Sequence, residues 1–383
     1  MKILYIHQYF KTPEEGGAIR SYYLSTALAK SGHEVHLITA SNEHLGSKII
    51  EGINVHYLPV KYDNNFGYVK RIWAFSRFMG LAFWHALKIK NIDICYATST
   101  PLSVGVLALL LKKINGVRYY FEVRDLWPAV PIAMGYVKNT LVIYLLNQIE
   151  KIIYRNAEKI VSLSPEISTG IRAKSNKDIL LIPNIADCRF FHSDTKAIGT
   201  ENLCIAYIGS IGKSNGLTAF LALAKYCKKK GIDDVNFFIA GDGAEKNLIL
   251  SEIEAKQLDH VAYLGTLSKI EVKNLLDKCT AVYISFADHP ILSSCSPNKF
   301  FDGVAAGKII ITNYKGWVTD LVIQHGAGFF LDRNNPEDFS TKVLPSLRDM
   351  NVRRVIQTNS YNLAKAMFDR PLLEDKFLSL FSE

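Results

Sequence analysis

The stretch KILYIHQYFKTPEEGGAIRSYYLSTALAKSGHEVHLITA, residues 2–40, decides the fold. A short apolar run ends near His7 and a polar loop, KTPEEGG, follows it. Residues 18–30 then repeat apolar positions at helical spacing, and GHEVHLITA returns to a strand pattern. Strand, helix and strand within about 40 residues form a βαβ unit, whose two strands pair in parallel because the helix carries the chain back.

Working outward, the alternation continues. Strand-like runs at 53–59, 92–97, 119–123 and 159–163 alternate with helical segments at 68–90, 101–115 and 140–156, which predicts a doubly wound parallel sheet. The loop IPNIADCRFFHSDTKAIGTEN, rich in turn residues, then marks a connection, and the chain splits near residues 185–200. Beyond it come strands at 203–208, 236–240, 261–264, 281–285 and 309–312, with a helix at 219–229. Open α/β sheets bind ligands outside the carboxyl ends of their strands, so two such halves facing each other place the site in a cleft.

Composition narrows the classes. With 383 residues, 49% hydrophobic and 21% charged, the chain can bury two cores, which excludes disorder and low-complexity readings. The net charge of +9 favours an anionic partner. The six cysteines are scattered without a CxxC pair, as expected for reduced thiols in a cytosolic protein. No signal peptide is expected, and the longest uncharged apolar stretch, residues 101–111, is far short of the roughly 20 residues that span a bilayer.

The motifs lie at expected strand ends. Gly16 and Gly17 precede a helix and can let a phosphate approach its N-terminus, with Arg20 one turn in; the alternative is an ordinary turn and a solvated arginine. YIGSIGKSNGL, 207–217, sets Gly209, Gly212 and Gly216 beside Lys213, and IAGDGAEKNL, 239–248, repeats the theme with Gly241, Asp242, Gly243 and Lys246. Bare amides and ammonium groups suit a diphosphate. SSCSPNKFFDGVAAGK, 293–308, offers Ser296, Pro297 and Asn298 at a helix start, then Lys299 for a phosphate and Asp302 for ribose hydroxyls, three apart on one face.

In FEVRDLWPAVP, 121–131, Arg124 and Asp125 end a strand of the first half, where they face the cleft floor or form a structural pair. His7 and His289 are further residues near the expected cleft. The segment FGYVKRIWAFSRFMGLAFWHALKIK, 66–90, mixes basic and aromatic residues, as an anionic membrane surface requires, although a buried crossover helix with basic ends reads equally well. Neither HExxH, DxD nor any nucleic-acid motif occurs, so no metal and no nucleic-acid partner is expected.

The order of these motifs, with PNKFFDGVAAGK the most specific, resembles the family-4 glycosyltransferases of the GT-B fold across nearly the whole chain. EGGAIRSYYLSTALAKSGHEV, FEVRDLWPAVP and SPNKFFDGVAAGK look closest to bacterial O-antigen and capsule transferases of N-acetyl-fucosamine or a similar N-acetylamino sugar. The resemblance implies an α/β fold of two Rossmann-like domains facing across a cleft. Residues 1–190 would bind the acceptor, joined by a C-terminal helix at about 366–383, and residues 191–365 would bind the nucleotide sugar.

It further implies retaining transfer, without a metal or other cofactor, from a UDP-sugar donor to a polyprenyl-diphosphate-linked acceptor. The enzyme would be cytoplasmic and peripheral on the inner face of the cell membrane. In the family an acid pair spaced E-x7-E spans the donor: the second falls on Asp302, whereas the first falls on Ser294, a departure. The family's Arg and Lys of the first loop fall on Ser210 and Asn215, leaving Lys213, Lys246 or Lys299 to carry the diphosphate charge. A histidine before the first-half acid is replaced by Arg124, with Asp125 kept.

The implied donor site comprises Gly16, Gly17, Gly209, Ser210, Gly212, Gly241, Asp242, Gly243, Lys246, Ser294, Cys295, Ser296, Pro297, Asn298 and Asp302. Asp125, Arg124, Lys213, Lys299 and His289 would be the catalytic groups, and His7 and Arg20 the acceptor contacts. Two other readings stay open: a two-domain UDP-sugar epimerase, and a catalytically silent nucleotide-sugar-binding protein.

Overall fold

The computed structural model describes residues 1–17, 19–63, 66–192 and 203–382. The chain forms two compact units, one of Met1–Thr12, Ala18–Pro183 and Glu374–Glu383, the other of Pro13–Gly17 and Asn184–Leu373.

In the first unit, eight strands form one sheet: β1 Lys2–Ile6, β2 Glu34–Ser41, β3 Gly46–Ile50, β4 Ile53–Pro59, β5 Ile94–Thr98, β6 Arg118–Val123, β7 Lys159–Ser162 and β8 Ile179–Leu181. Their order is β3-β4-β2-β1-β5-β6-β7-β8. All pairs are parallel except β3 with β4, which close a hairpin through Glu51 and Gly52, both at positive φ. The residues 2–40 unit forms as read, with Lys2 through Ile6 in register with Glu34 through Ile38 around the helix Arg20–Lys30.

Further crossover helices are Tyr68–Ala86, Ser103–Asn115, Thr140–Asn156 and Pro165–Arg172. Asn139 caps the third of these by accepting from the Leu141 and Val142 amides, and Ser164 caps the fourth from Ile167. Leu4, Ile6, Phe78, Ala97, Leu107, Phe121 and Ile153 form the core on one side of the sheet. Gly105 has no room for a Cβ, which would stand 2.8 Å from Ile153, so glycine brings its helix close to the sheet. At the chain's end, Phe377 meets Tyr96 edge to face at 5.0 Å, and the Tyr120 hydroxyl donates to the Leu380 carbonyl.

The second unit contains β9 Leu203–Ile208, β10 Val235–Ala240, β11 Val261–Tyr263, β12 Ala281–Ile284, β13 Ile309–Thr312 and β14 Gly328–Phe330. They are ordered β11-β10-β9-β12-β13-β14 and all pair in parallel. Both sheets therefore reverse direction beside their first strand, between β1 and β5 and between β9 and β12. In a doubly wound sheet that reversal opens a crevice at the strands' carboxyl ends.

The sequence reading misses β3, β8 and β14 and several short helices, among them Lys269–Lys278 and Trp317–Gln324. The strands are edge strands of three to five residues, too short for alternation to register. The helix expected at 68–90 stops at Ala86. Part of the expected connecting loop, residues 193–202, lies outside the described residues.

Candidate active site

In the first unit, His7 leaves β1 and Arg124 leaves β6 at the carboxyl edge of the sheet, and the Arg124 Nη1 stands 3.2 Å from His7 Nε2. A guanidinium only donates, so Nε2 accepts and the imidazole proton sits on Nδ1, which is buried without a partner. Burial, reinforced by the Arg124 charge, holds the His7 pKa well below the ordinary value, so the ring is neutral. The Arg124 amide is fixed by the Ser99 hydroxyl at 3.0 Å. Next to it, burial raises the Asp125 carboxyl, while the Arg124 charge and the Thr100 hydroxyl pull it back. The fold thus gathers His7, Arg124 and Asp125 at one sheet edge.

Arg20 requires a correction. It neither lines a binding mouth nor meets solvent. Its side chain is 1% exposed and that of Glu122 0%. Arg20 donates to the Glu122 carboxylate from Nε at 3.0 Å and Nη2 at 2.8 Å, and to the carbonyls of Ile182 and Pro183. Tyr96 and Thr98 add hydroxyl donors to the same carboxylate, each at 2.7 Å. A buried carboxylate needs its full complement of donors, and this cluster supplies them. Glu122 was the unread signal: an acid inside the apolar strand FEV needs a buried cation.

The glycine loops of the second unit also differ from their first reading. The Gly209 amide donates to Ala240 O at 2.8 Å, and the Gly241 amide to Gly265 O at 2.7 Å, so neither is available to a phosphate. A Cβ on Gly241 would stand 1.9 Å from Gly209 O, and one on Gly243 would stand 2.3 Å from Ile211 O. These glycines let the two loops zip together, which the Ile211 amide to Asp242 O bond at 2.8 Å continues. Among the described residues, no backbone carbonyl takes the amides of Ser210 or Gly212.

Above these loops begins the helix Asn298–Ala305, with Pro297 at its N-cap. Lys299 Nζ lies 3.7 Å from the centre of the Tyr207 ring, and a Cβ on Gly209 would touch it at 3.3 Å. The ammonium is buried and has no hydrogen-bond partner among the described residues. Burial lowers its pKa from 10.5 to about 7. The Tyr207 face contributes cation–π attraction, the main compensation for this desolvated charge.

Asp302, on the same helix face, is held by a different lysine. Its Oδ1 accepts from Lys269 Nζ at 2.7 Å, and Lys269 in turn lies 4.5 Å from the Phe191 ring centre. Burial raises the Asp302 carboxyl, opposed by Lys269. Lys269 was missed because it opens a helix behind the capping box of Ser268 and Glu271, where a lysine reads as surface.

The loop before the helix is fixed from several sides. Asn184 Nδ2 donates to Ser296 O at 2.7 Å, and Trp317 Nε1 donates to Cys295 O at 2.9 Å. The Ser294 hydroxyl donates to Ile291 O at 2.7 Å, within the turn Pro290–Ser294. His289 caps that turn, accepting from the Ile291 amide. Lys213 is exposed beside Gly212. Lys246 stands 3.8 Å from Asp242, a loose pair that leaves it able to reach elsewhere. Gly16, in the segment Pro13–Gly17, has its Cβ position 3.0 Å from Leu267 O, whereas Gly17 is unobstructed. Among the described residues, no group of three His, Cys, Asp or Glu side chains forms a metal site.

Comparison with known proteins places this geometry. A family model described as "Glycosyl transferase 4-like domain" matches residues 15–184, and one described as "Glycosyl transferases group 1" matches residues 189–363. An uncharacterized glycosyltransferase of Methanocaldococcus jannaschii is 23% identical over 210 residues, 55% of this chain and 55% of that protein. The match therefore spans about half the length of that relative.

Among solved structures, sucrose-phosphate synthase from Thermosynechococcus elongatus superposes with a TM-score of 0.80 at 15% identity, over 100% of this chain and 98% of that one. Anabaena HepE in complex with UDP and glucose superposes at 0.69 and 15% identity, over 100% and 99%. The two doubly wound units are thus those of the GT-B fold. The chain is thus built of a glycosyl transferase 4-like domain followed by a glycosyl transferases group 1 domain, the two matches together spanning most of its length.

Proposed function

We propose that the chain is a retaining, metal-independent transferase that moves a sugar, an N-acetylamino sugar such as N-acetyl-fucosamine, from a UDP-sugar to a lipid-diphosphate-linked glycan in O-antigen or capsule synthesis. The observation that carries the donor side is Lys299. A buried ammonium with no partner, flanked by a glycine loop and a helix N-terminus, is costly unless an anion completes it. The diphosphate of a nucleotide sugar supplies that anion, and Asp302, with Oδ1 held by Lys269, keeps its other oxygen for a ribose hydroxyl. HepE, of the same fold, has been solved with UDP.

In the reaction, the bond from the sugar's anomeric carbon to the β-phosphate oxygen breaks and UDP leaves with the electron pair. Lys299, Lys213 and the Ser210 and Gly212 amides stabilise the charge that develops on it. The acceptor hydroxyl bonds to the anomeric carbon and gives its proton to the departing phosphate. His7, Arg124 and Asp125 orient the acceptor in the first unit.

The acceptor class rests on the family resemblance and on the basic and aromatic helix Tyr68–Ala86. With such an acceptor the enzyme would work in the cytoplasm, against the inner face of the cell membrane. A second reading, donor binding without turnover, is favoured by Ser294, whose hydroxyl is spent on Ile291 O where the family has an acid.

The deciding experiment screens nucleotide sugars for thermal stabilisation and then assays transfer to a prenyl-diphosphate glycan. Stabilisation by UDP-sugars with release of UDP only when acceptor is present supports transfer. Stabilisation without release supports the silent reading, release of an isomerised donor without acceptor supports an epimerase, and stabilisation by no UDP-sugar rejects the assignment.

A further inference from the structure

The first unit carries a groove that the glycine and lysine motifs do not touch. It lies between the carboxyl ends of β2 and β4 and the helix Tyr68–Ala86, with a volume of about 520 Å³. Its apolar lining includes Leu45, Val60, Phe66 and Trp73. Lys61, Lys70 and Arg77 also line it, against one acid, Glu43.

We infer that this groove binds the prenyl diphosphate of the acceptor, with the first isoprene units against Trp73 and Phe66 and the diphosphate against Lys70, Arg77 and Lys61. The inference rests on the acceptor class proposed above. Three observations point the same way. The lining sets apolar side chains, buried at Val60 and Ala74 and exposed at Leu45 and Trp73, beside a net positive set of charges, complementary to an amphiphile with an anionic head, and its volume suits a small molecule.

The groove is also pre-formed. The Asn42 side chain holds both backbone groups of Tyr62, donating to its carbonyl at 2.9 Å and accepting from its amide at 2.8 Å. Arg71 Nε donates to Phe66 O at 2.8 Å, and the Tyr62 ring stacks on Phe75. These contacts hold the backbone beside the groove, at Tyr62 and Phe66, before a ligand arrives.

The third observation is the helix itself. It buries Ala74, Phe78, Ala82 and Ala86 along one strip and leaves Val69, Trp73 and Trp84 at 79%, 69% and 67% exposure. Exposed tryptophans beside lysine and arginine belong at a lipid–water interface, where the head of a membrane-embedded lipid would enter the groove from its rim. A flat bilayer contact explains the exposed residues but not a groove lined by three cations.

The test titrates the full chain by calorimetry with geranylgeranyl diphosphate below its micelle concentration, and separately with geranylgeraniol and inorganic diphosphate. Trp73→Ala and the pair Lys70→Glu, Arg77→Glu are compared with wild type after their melting temperatures confirm folding. The groove predicts that geranylgeranyl diphosphate binds wild type at least about tenfold more tightly than either fragment, and that each variant loses about tenfold or more, the scale of an anchor residue. Inorganic diphosphate binding that survives both variants belongs to the second unit.

Unchanged affinity in both variants overturns the proposal. So does a loss confined to flotation with phosphatidylglycerol vesicles, which assigns the surface to the bilayer alone. UDP titration of the same variants separates the two claims. Wild type that binds no UDP removes the donor reading, while the prenyl-diphosphate arm still decides the groove.

Discussion

Lys269 holds Asp302 at 2.7 Å from a helix that the motif carrying Asp302 does not include. The aspartate is therefore a positioned group with one oxygen committed, not a free surface carboxylate. Lys269→Met leaves a mostly buried carboxyl without its cation. It should destabilise the fold by roughly 1–3 kcal/mol, the cost of an orphaned buried polar group. It should also weaken UDP, because Asp302 then binds ribose only as a mobile or protonated group. Adding Asp302→Leu should recover the stability and not the binding. Denaturant melts with UDP titration check both halves of the claim.

Lys299 gives a prediction with opposite signs for stability and binding. Burial lowers its pKa to about 7, below the unfolded value, so the fold favours the neutral amine and the ammonium costs stability as pH falls from 10.5 through 7. Lys299→Met should therefore leave the ligand-free melting temperature at pH 7 unchanged or higher, while abolishing stabilisation by UDP. An anion bound beside the amine raises its pKa again, so UDP binding at pH 8–9 should take up protons. Calorimetry in two buffers of different ionisation enthalpy measures that uptake; none at any pH would separate Lys299 from the phosphates.

Much of the architecture was legible because a parallel sheet repeats one local unit. Strands β9 and β13 lie where the apolar runs put them, the glycines follow strand ends, and Asp302 lies on a helix as read. What escaped is long-range. Arg20 and Glu122 are 102 residues apart and meet only because β1, β5 and β6 are neighbours in the sheet, an order the sequence leaves open. Gly209 and Gly241 were found for a ligand reason, while the structure gives them a steric one. Loop-to-loop contact has no periodic trace in a single chain.

The Arg20–Glu122 pair makes the first unit acid-sensitive. Burial alone would raise the Glu122 carboxyl, but Arg20, helped by Arg124 and Tyr96, brings it down to about 2. A folded pKa below the unfolded one contributes stability that is complete above about 4.5 and is lost as pH falls toward 2. Arg20→Met should cost about 3–5 kcal/mol at pH 7 by stranding the carboxylate. Paired with Glu122→Leu, it should recover much of that loss. Unfolding followed from pH 6 to 2 should show a steeper acid limb in wild type than in the double variant.

A last prediction concerns the hairpin β3–β4, which is tied to β2 through histidines. Ser47 Oγ lies 2.7 Å from His56 Nδ1, His56 Nε2 lies 3.0 Å from His36 Nδ1, and His36 Nε2 lies 2.9 Å from Glu34. One set of tautomers satisfies the chain. In it Glu34 accepts from His36, His36 from His56 and His56 from Ser47.

His85, on the helix Tyr68–Ala86, stands 4.5 Å ring to ring from His56, and Lys88 adds positive charge near it. Lys2 meets the outer end of the relay at Glu34. Burial, with charge from His85 and His36, lowers His56 to about 4. The relay's contribution is therefore complete above about 6.5 and lost as pH falls through 4. Hydrogen exchange at β3 should quicken between pH 7 and 4, relative to β1, after correction for intrinsic rates. His56→Gln should flatten that dependence; equal protection ratios at both ends of the range would show that the rings do not hold the hairpin.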